Sequence, residues 1–382
     1  MITLWFDVVC PFAWLAARQL PAIAARAGVP LVWRPMLLGG VLKSLGVGDP
    51  NGLMSPAKTV AVRRDAMRQA ELQGLEIAFP NGHPRRSVDA MRLLTAAPAA
   101  EVPDLADALW RRYWVGGNDF VDQGTPSMKE ALHRNTEAAV AAGVFGAPGI
   151  EVNGRMHWGA DRLWRVERDL GLTPSVDPLG GSVPAVHTGA EIAVWHDFSS
   201  PFSYLAATGI EALAARFGAT VTWRPILLGG LFREIGTPDV PLLTYSAPRR
   251  RWSLGDLDAW AEARGVPFRF PETFPLRTVL ALRVAILEPR STLPIYRAAW
   301  ADGRDIGSPE VLRGVLAEAG LDPGLVDRAP TAKDALRRNT DAARQAGVIG
   351  VPTFGVGEYE VWGQDRFDHL ARILAGWRPK AG

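Results

Sequence analysis

Cysteine is almost absent from this chain. Its 382 residues include a single one, Cys10. That excludes an intramolecular disulfide and a cysteine-based zinc cluster. The six histidines are scattered without metal-ligand spacing, so no bound metal is expected. Charge of one sign is also lacking. Forty-two Lys and Arg against forty Asp and Glu leave a net charge of +2, so no bulk attraction to nucleic acid follows. The short run Arg249-Arg250-Arg251 reads as a solvated helix face. No apolar stretch is long enough to cross a membrane. Met1 leads directly into a strand-like run, Ile2–Phe6, without a basic segment and apolar core, so a cytoplasmic protein without a secretory signal is expected. With 48% hydrophobic residues, two domains with ordinary cores are expected.

What is present is a repeat. Trp5, Asp7, Pro11-Phe12 and Leu15-Ala16-Ala17 coincide at one offset with Trp195, Asp197, Pro201-Phe202 and Leu205-Ala206-Ala207, and Cys10 falls on Ser200. Further on, Trp33-Arg34-Pro35 with Leu37-Leu38-Gly39-Gly40 meets Trp223-Arg224-Pro225 with Leu227-Leu228-Gly229-Gly230. Asn135-Thr136 meets Asn339-Thr340, Pro148 meets Pro352, and Trp158-Gly159 with Asp161-Arg162 meets Trp362-Gly363 with Asp365-Arg366. Ordered blocks over both halves indicate a duplicated domain rather than a solenoid unit. Copy 1 is assigned residues 1–172 and copy 2 residues 190–382. Residues 173–189, rich in Pro, Gly, Ser and Thr, read as a linker.

Each copy begins with a short apolar strand and a helix started by Pro11 or Pro201. A second strand follows at Leu31–Trp33 or Val221–Trp223, which makes a β-α-β unit with parallel strands. Helical segments come next, about 50–142 in copy 1 and about 240–346 in copy 2. Strands at Pro148–Val152 and Arg155–Trp158, and at Thr353–Val356 and Tyr359–Trp362, then lead into final helices. The class is α/β: two thioredoxin-like domains in tandem, each with an inserted helical domain. Ser308-Pro309-Glu310 starts an extra helix in copy 2, in a connection much longer than Trp114–Lys129 of copy 1.

A residue just before a helix N-terminus sits in positive potential from free N–H groups. A thiol there has a lowered pKa, so Cys10 is expected to be partly thiolate near neutral pH, with a buried, inert thiol as the other reading. Dithiol exchange within a copy is excluded, because the position three residues on is Ala13 or Ser203. Ser200 has no His–Asp partners at triad spacing. By position it is foremost a helix cap, and it can also donate a hydrogen bond to an anion held there, such as a cofactor thiolate. Pro352 is expected in the cis form, leaving the backbone of Val351 to pair with an extended ligand. Gln364 and Asp365 begin a helix able to hold a charged amino-acid group, although Asp365 also suits a cap.

Taken together these residues resemble the 2-hydroxychromene-2-carboxylate isomerase family, close to kappa-class glutathione transferases in the DsbA-like branch of the thioredoxin superfamily. Copy 2 matches best, through Asp197–Ala206, Arg224–Gly230, Gly265–Phe268, Gly350–Phe354 and Trp362–Arg366. The resemblance implies glutathione as cosubstrate. It assigns Ser200 to the glutathione sulfur, Val351 with Pro352 to the cysteinyl backbone, and Gln364 and Asp365 to the γ-glutamyl end. A basic residue ahead of an Asp belongs near the glycyl carboxylate; Arg249 with Asp256 stands there in copy 2, and Lys58 with Asp65 in copy 1. Copy 1 departs from the pattern with Cys10, with Ala160 in place of Gln364 and with Gly149 in place of Thr353. Cys10 is there a candidate for a mixed disulfide with a small thiol.

The resemblance implies a glutathione-dependent cis–trans isomerase of an unsaturated aromatic carboxylate. A glutathione transferase or peroxidase, a monothiol oxidoreductase, and a non-catalytic thiol- or peptide-binding scaffold are the alternatives. Trp252, Trp260, Phe268 and Phe270 are candidates for the substrate side, with core packing as their other role. The expected partner is a small molecule, and the expected state is a monomer whose copies pair internally.

Overall fold

The computed structural model describes residues 1–47, 54–120 and 128–380. The first residues of the copy 1 insertion and half of its short connection to Lys129 therefore lie outside the described residues. The chain divides into two compact units. Among the described residues, unit 1 comprises Met1–Val176 with Ser246–Trp252 and residues 379–380, and unit 2 comprises Asp177–Tyr245 and Ser253–Arg378.

Unit 1 is built on strands β1 (Ile2–Phe6), β2 (Leu31–Pro35), β3 (Gly149–Val152) and β4 (Arg155–Trp158), in the order β2-β1-β3-β4. Unit 2 repeats the order as β6-β5-β7-β8 with β5 (Glu191–His196), β6 (Thr220–Pro225), β7 (Thr353–Val356) and β8 (Tyr359–Trp362). In each sheet the central strand runs parallel to the strand that follows it and antiparallel to the returning strand. This is the thioredoxin-like β-α-β and β-β-α arrangement, interrupted by helices, that the repeat predicts. β1 is buried at all five positions because it is the second strand of the sheet and covered on both faces.

The first helix differs between the copies. In copy 1 it runs unbroken from Pro11 to Ala27 and ends at Gly28, whose φ of 64° suits glycine. In copy 2 it breaks into Pro201–Ala207 and Ile210–Arg216 around Gly209, where copy 1 has Gln19. The glycine has a packing reason. A side-chain carbon at 209 would stand 2.8 Å from Nη1 of Arg264 and 3.3 Å from the Phe367 ring.

The helix expected after Ser308 is present at Pro309–Glu318, with the Ser308 hydroxyl accepting the Val311 N–H at 3.4 Å. Residues 173–189 form neither helix nor strand. Arg216 ties their second half to unit 2 by donating to the carbonyls of Gly180 and Val183.

Candidate functional site

In both copies a buried aspartate shapes the turn between the first strand and helix. Asp197 accepts the N–H of Ser199 on one oxygen and of Leu228 on the other, each at 2.9 Å. Asp7 does the same with Val9 and Leu38. Burial raises the pKa of both carboxyls against these hydrogen bonds. The inserted helices hold the same turn from the other side: Tyr296 Oη donates to the Asp197 carbonyl at 3.2 Å and Trp300 Nε1 to the Phe198 carbonyl at 2.8 Å. Sequence reasoning assigned no role to these aspartates, although their recurrence at one spacing before Cys10 and Ser200 was the available signal.

Ser200 is the N-cap of Pro201–Ala207 and only 5% exposed. Its Oγ accepts the Ser203 N–H at 3.2 Å and donates to the Val351 carbonyl at 3.2 Å. The Val351–Pro352 bond is cis, as is its counterpart Ala147–Pro148. The Pro352 carbonyl accepts the N–H of Gly363 at 2.9 Å, which joins this loop to the turn Gln364–Arg366. Gly363 has a φ of 106°, and the Asp365 carboxylate lies so close over it that a side chain would collide. Ser200, Val351, Pro352, Gln364 and Asp365 thus form one connected group within unit 2.

Gln364 is buried, and one residue absent from the sequence reading holds it. Arg264 Nη2 donates to the Gln364 carbonyl at 2.9 Å and to its side-chain Oε1 at 3.0 Å. The guanidinium lies 4.3 Å from the Phe367 ring centroid. Burial pulls the Arg264 pKa down to about 10, opposed by the charges of Asp365 and Asp177; the group stays protonated at neutral pH.

Cys10 reverses the expectation of a partly ionised thiol. Its Sγ donates to the Ala147 carbonyl at 3.1 Å, and no side-chain hydrogen bond caps its helix. Burial pushes the thiol up to about 12 and outweighs the N–H groups of Ala13 and Phe12, which favour the thiolate. The helix terminus contributes as expected, but desolvation is the larger effect.

Arg249 belongs to unit 1 rather than to the Ser200 group. Its guanidinium lies 5.3 Å from the centroid of Trp158, and Trp252 meets Trp158 edge-on at 5.4 Å. Its charge adds to burial in lowering the pKa of Lys58. The aromatic residues considered for the substrate side mostly pack the core: Trp260 is fully buried, Phe268 stacks on Trp300 at 6.0 Å, and Phe270 meets the same ring at 5.7 Å. Among the described residues no group of three His, Cys, Asp or Glu is placed to hold a metal, and no helix is long and apolar enough to cross a membrane.

The chain is similar to several known proteins. The chain is 30% identical over 190 residues to 2-hydroxychromene-2-carboxylate isomerase of Sphingobium xenophagum, covering 48% of this chain and 97% of that one. It is 28% identical over 207 residues to glutathione S-transferase kappa 1 of Homo sapiens, covering 44% and 90%. A solved structure of 2-hydroxychromene-2-carboxylate isomerase aligns over 48% of this chain and 94% of its own, at 24% identity and a TM-score of 0.44. The model of the DSBA-like thioredoxin domain matches residues 1–127, 119–171 and 191–375. The chain therefore belongs to the DSBA-like thioredoxin domain family and carries that domain in two copies.

Proposed function

We propose that copy 2 is a glutathione-dependent cis–trans isomerase centre for an unsaturated aromatic carboxylate. The observation that carries this reading is the Ser200 hydroxyl: buried, at a helix N-terminus, and hydrogen-bonded to the carbonyl just before cis-Pro352. The relatives named isomerase and kappa transferase support it. The residues fit a γ-glutamyl thiol. Ser200 offers a hydroxyl donor, Val351 a backbone suited to an added strand, and Gln364 with Asp365 a rigid polar turn.

Glutathione, when bound, supplies a thiolate that adds reversibly to a conjugated carbon and so permits rotation about the former double bond. Ser200 turns its hydroxyl from the Val351 carbonyl toward the sulfur and, with the first N–H groups of its helix, favours the anion. Arg264 fixes Gln364, and the turn at Gly363 fixes Asp365, so the polar end of the ligand meets a preorganised surface.

The test is isomerisation of a benzylidenepyruvate-type substrate, followed by ultraviolet absorbance with and without glutathione. Glutathione-dependent isomerisation with no loss of free thiol is the expected result. Consumption of thiol would favour conjugation, the reading suggested by the kappa relative. Absence of glutathione binding by calorimetry would leave the scaffold reading.

A further inference from the structure

A cleft of about 600 Å³ opens beside the turn that carries Ser200. Its walls include Ser199, Leu228, Val240, Leu276, Leu280 and Arg283. Ser199 ties one wall to the other, its Oγ accepting the N–H of Leu276 at 3.2 Å. The cleft is of the size and mixed character usual for small-molecule sites.

The two copies differ here in one informative respect. In copy 1 the helix Val88–Ala96 carries Asp89 and Arg92, whose side chains pair at 3.2 Å. The matching helix of copy 2, Val279–Leu287, carries Leu280 and Arg283 at those positions. The arginine is common to both copies, but where copy 1 has the carboxylate copy 2 has an apolar side chain. Both arginines leave a buried Nε–H without an acceptor, but only Arg92 has its charge balanced by a neighbour on its own helix. Among the described residues no ion pair includes Arg283. The other charges around the cleft do not serve it: Asp197 is occupied by the N–H groups of Ser199 and Leu228, and Asp305 pairs with Arg277 at 2.9 Å. Arg233 and Asp239 stand exposed at the margin.

We propose that this cleft binds a small organic carboxylate with an apolar body, and that Arg283 anchors the carboxylate. The ligand's charge takes the place of the missing Asp89 counterpart, in the paired geometry that guanidinium favours. The leucine and valine walls take the body, including Leu280, which occupies the position matching Asp89. This deepens the reading of the Ser200 centre by giving its second substrate a site, and rests on that reading only for the occupant's role.

The experiment is calorimetric titration of the full chain with cinnamate and, separately, with cinnamyl alcohol, which keeps the apolar body and lacks the charge. The wild type is expected to bind cinnamate at least tenfold more tightly than the alcohol. Arg283→Gln removes that preference and leaves the alcohol unchanged. Leu280→Asp restores the copy 1 pair and removes the preference by occupying Arg283; it serves as the test even where the arginine variant fails to fold. Equal affinity of wild type and both variants for cinnamate overturns the proposal, as does a wild type with no preference for the acid. Glutathione is titrated in parallel. Cinnamate discrimination without glutathione binding refutes the reading of Ser200 and leaves the cleft; glutathione binding without discrimination overturns the cleft alone.

Discussion

Cys10 is the only thiol in the chain, so its chemistry reads out in the mass of the intact protein. Its pKa is pushed up from an ordinary 9.0 to about 12 by burial. Three units correspond to about a thousandfold less thiolate at neutral pH, and the thiolate is the reactive species. Native protein treated with iodoacetamide at pH 7.5 is therefore expected to alkylate about a thousandfold more slowly than the same chain in guanidinium. The native rate should keep rising through pH 10 without a plateau. A second consequence concerns stability. The folded pKa lies above the unfolded one, so the neutral thiol's contribution is complete below pH 9 and is lost as pH rises from 9 toward 12. The loss is about 1.4 kcal/mol per pH unit. Comparison with Cys10→Ala by urea denaturation at each pH cancels the titration of other groups. A native thiol that labels as fast as the unfolded one, or whose rate levels off near pH 7, would refute the reasoning and restore Cys10 as a reactive centre.

Ser200→Ala removes the helix cap and the donor to Val351 together. Stability should fall by about 1 kcal/mol, and the isomerisation rate by about a hundredfold; an unchanged rate would end the assignment of Ser200. Burial lowers the pKa of His196 to about 3, below its unfolded value, so the neutral ring's contribution is complete above pH 6.5 and is lost as pH falls toward 3. His196→Phe, which installs the residue found at Phe6, should therefore flatten the decline of stability between pH 6 and 4; an unchanged slope in urea titrations would show that His196 does not cause it. Arg264→Met leaves Gln364 without its charged donor and should lower stability by about 2 kcal/mol, with a weaker affinity for glutathione measured by calorimetry. Loss of stability with affinity unchanged would make Arg264 a packing residue only.

The fold was legible because the residues that set backbone geometry recur. Gly363 and Gly159 hold positive φ at the same turn, and Pro352 and Pro148 stand at the same cis bond. The association of Ser200 with Val351 followed from the family resemblance, and the structure joins them through a hydrogen bond. The acidity of Cys10 was not legible. Helix position can be read from sequence, but the burial that outweighs it depends on packing across the chain, including the Ala147 carbonyl 137 residues away. Arg264 escaped for a related reason. It lies 100 residues from Gln364, and no local pattern marks an arginine at the end of an amphipathic helix as an interior group. Trp260 and Phe268 offered no way to separate core from pocket, since an aromatic residue serves both equally well.

The divergence of the copies is more orderly than a decay. A half-buried guanidinium needs space, an acceptor and a surface to lie on. Copy 2 meets these needs with Gly209, Gln364 and the Phe367 ring around Arg264. Copy 1 has Gln19, Ala160, Leu163 and Gln73 at the four matching positions. There Ala160 offers no side-chain acceptor, and both glutamines donate to the Leu15 carbonyl instead. The space is filled and the polar groups are satisfied, so the altered first copy is internally consistent. Arg283 lacks such a matched set: the position of Asp89, which pairs with Arg92 in copy 1, is Leu280 in copy 2. On the proposed reading of the cleft, a ligand carboxylate supplies the partner that Leu280 does not.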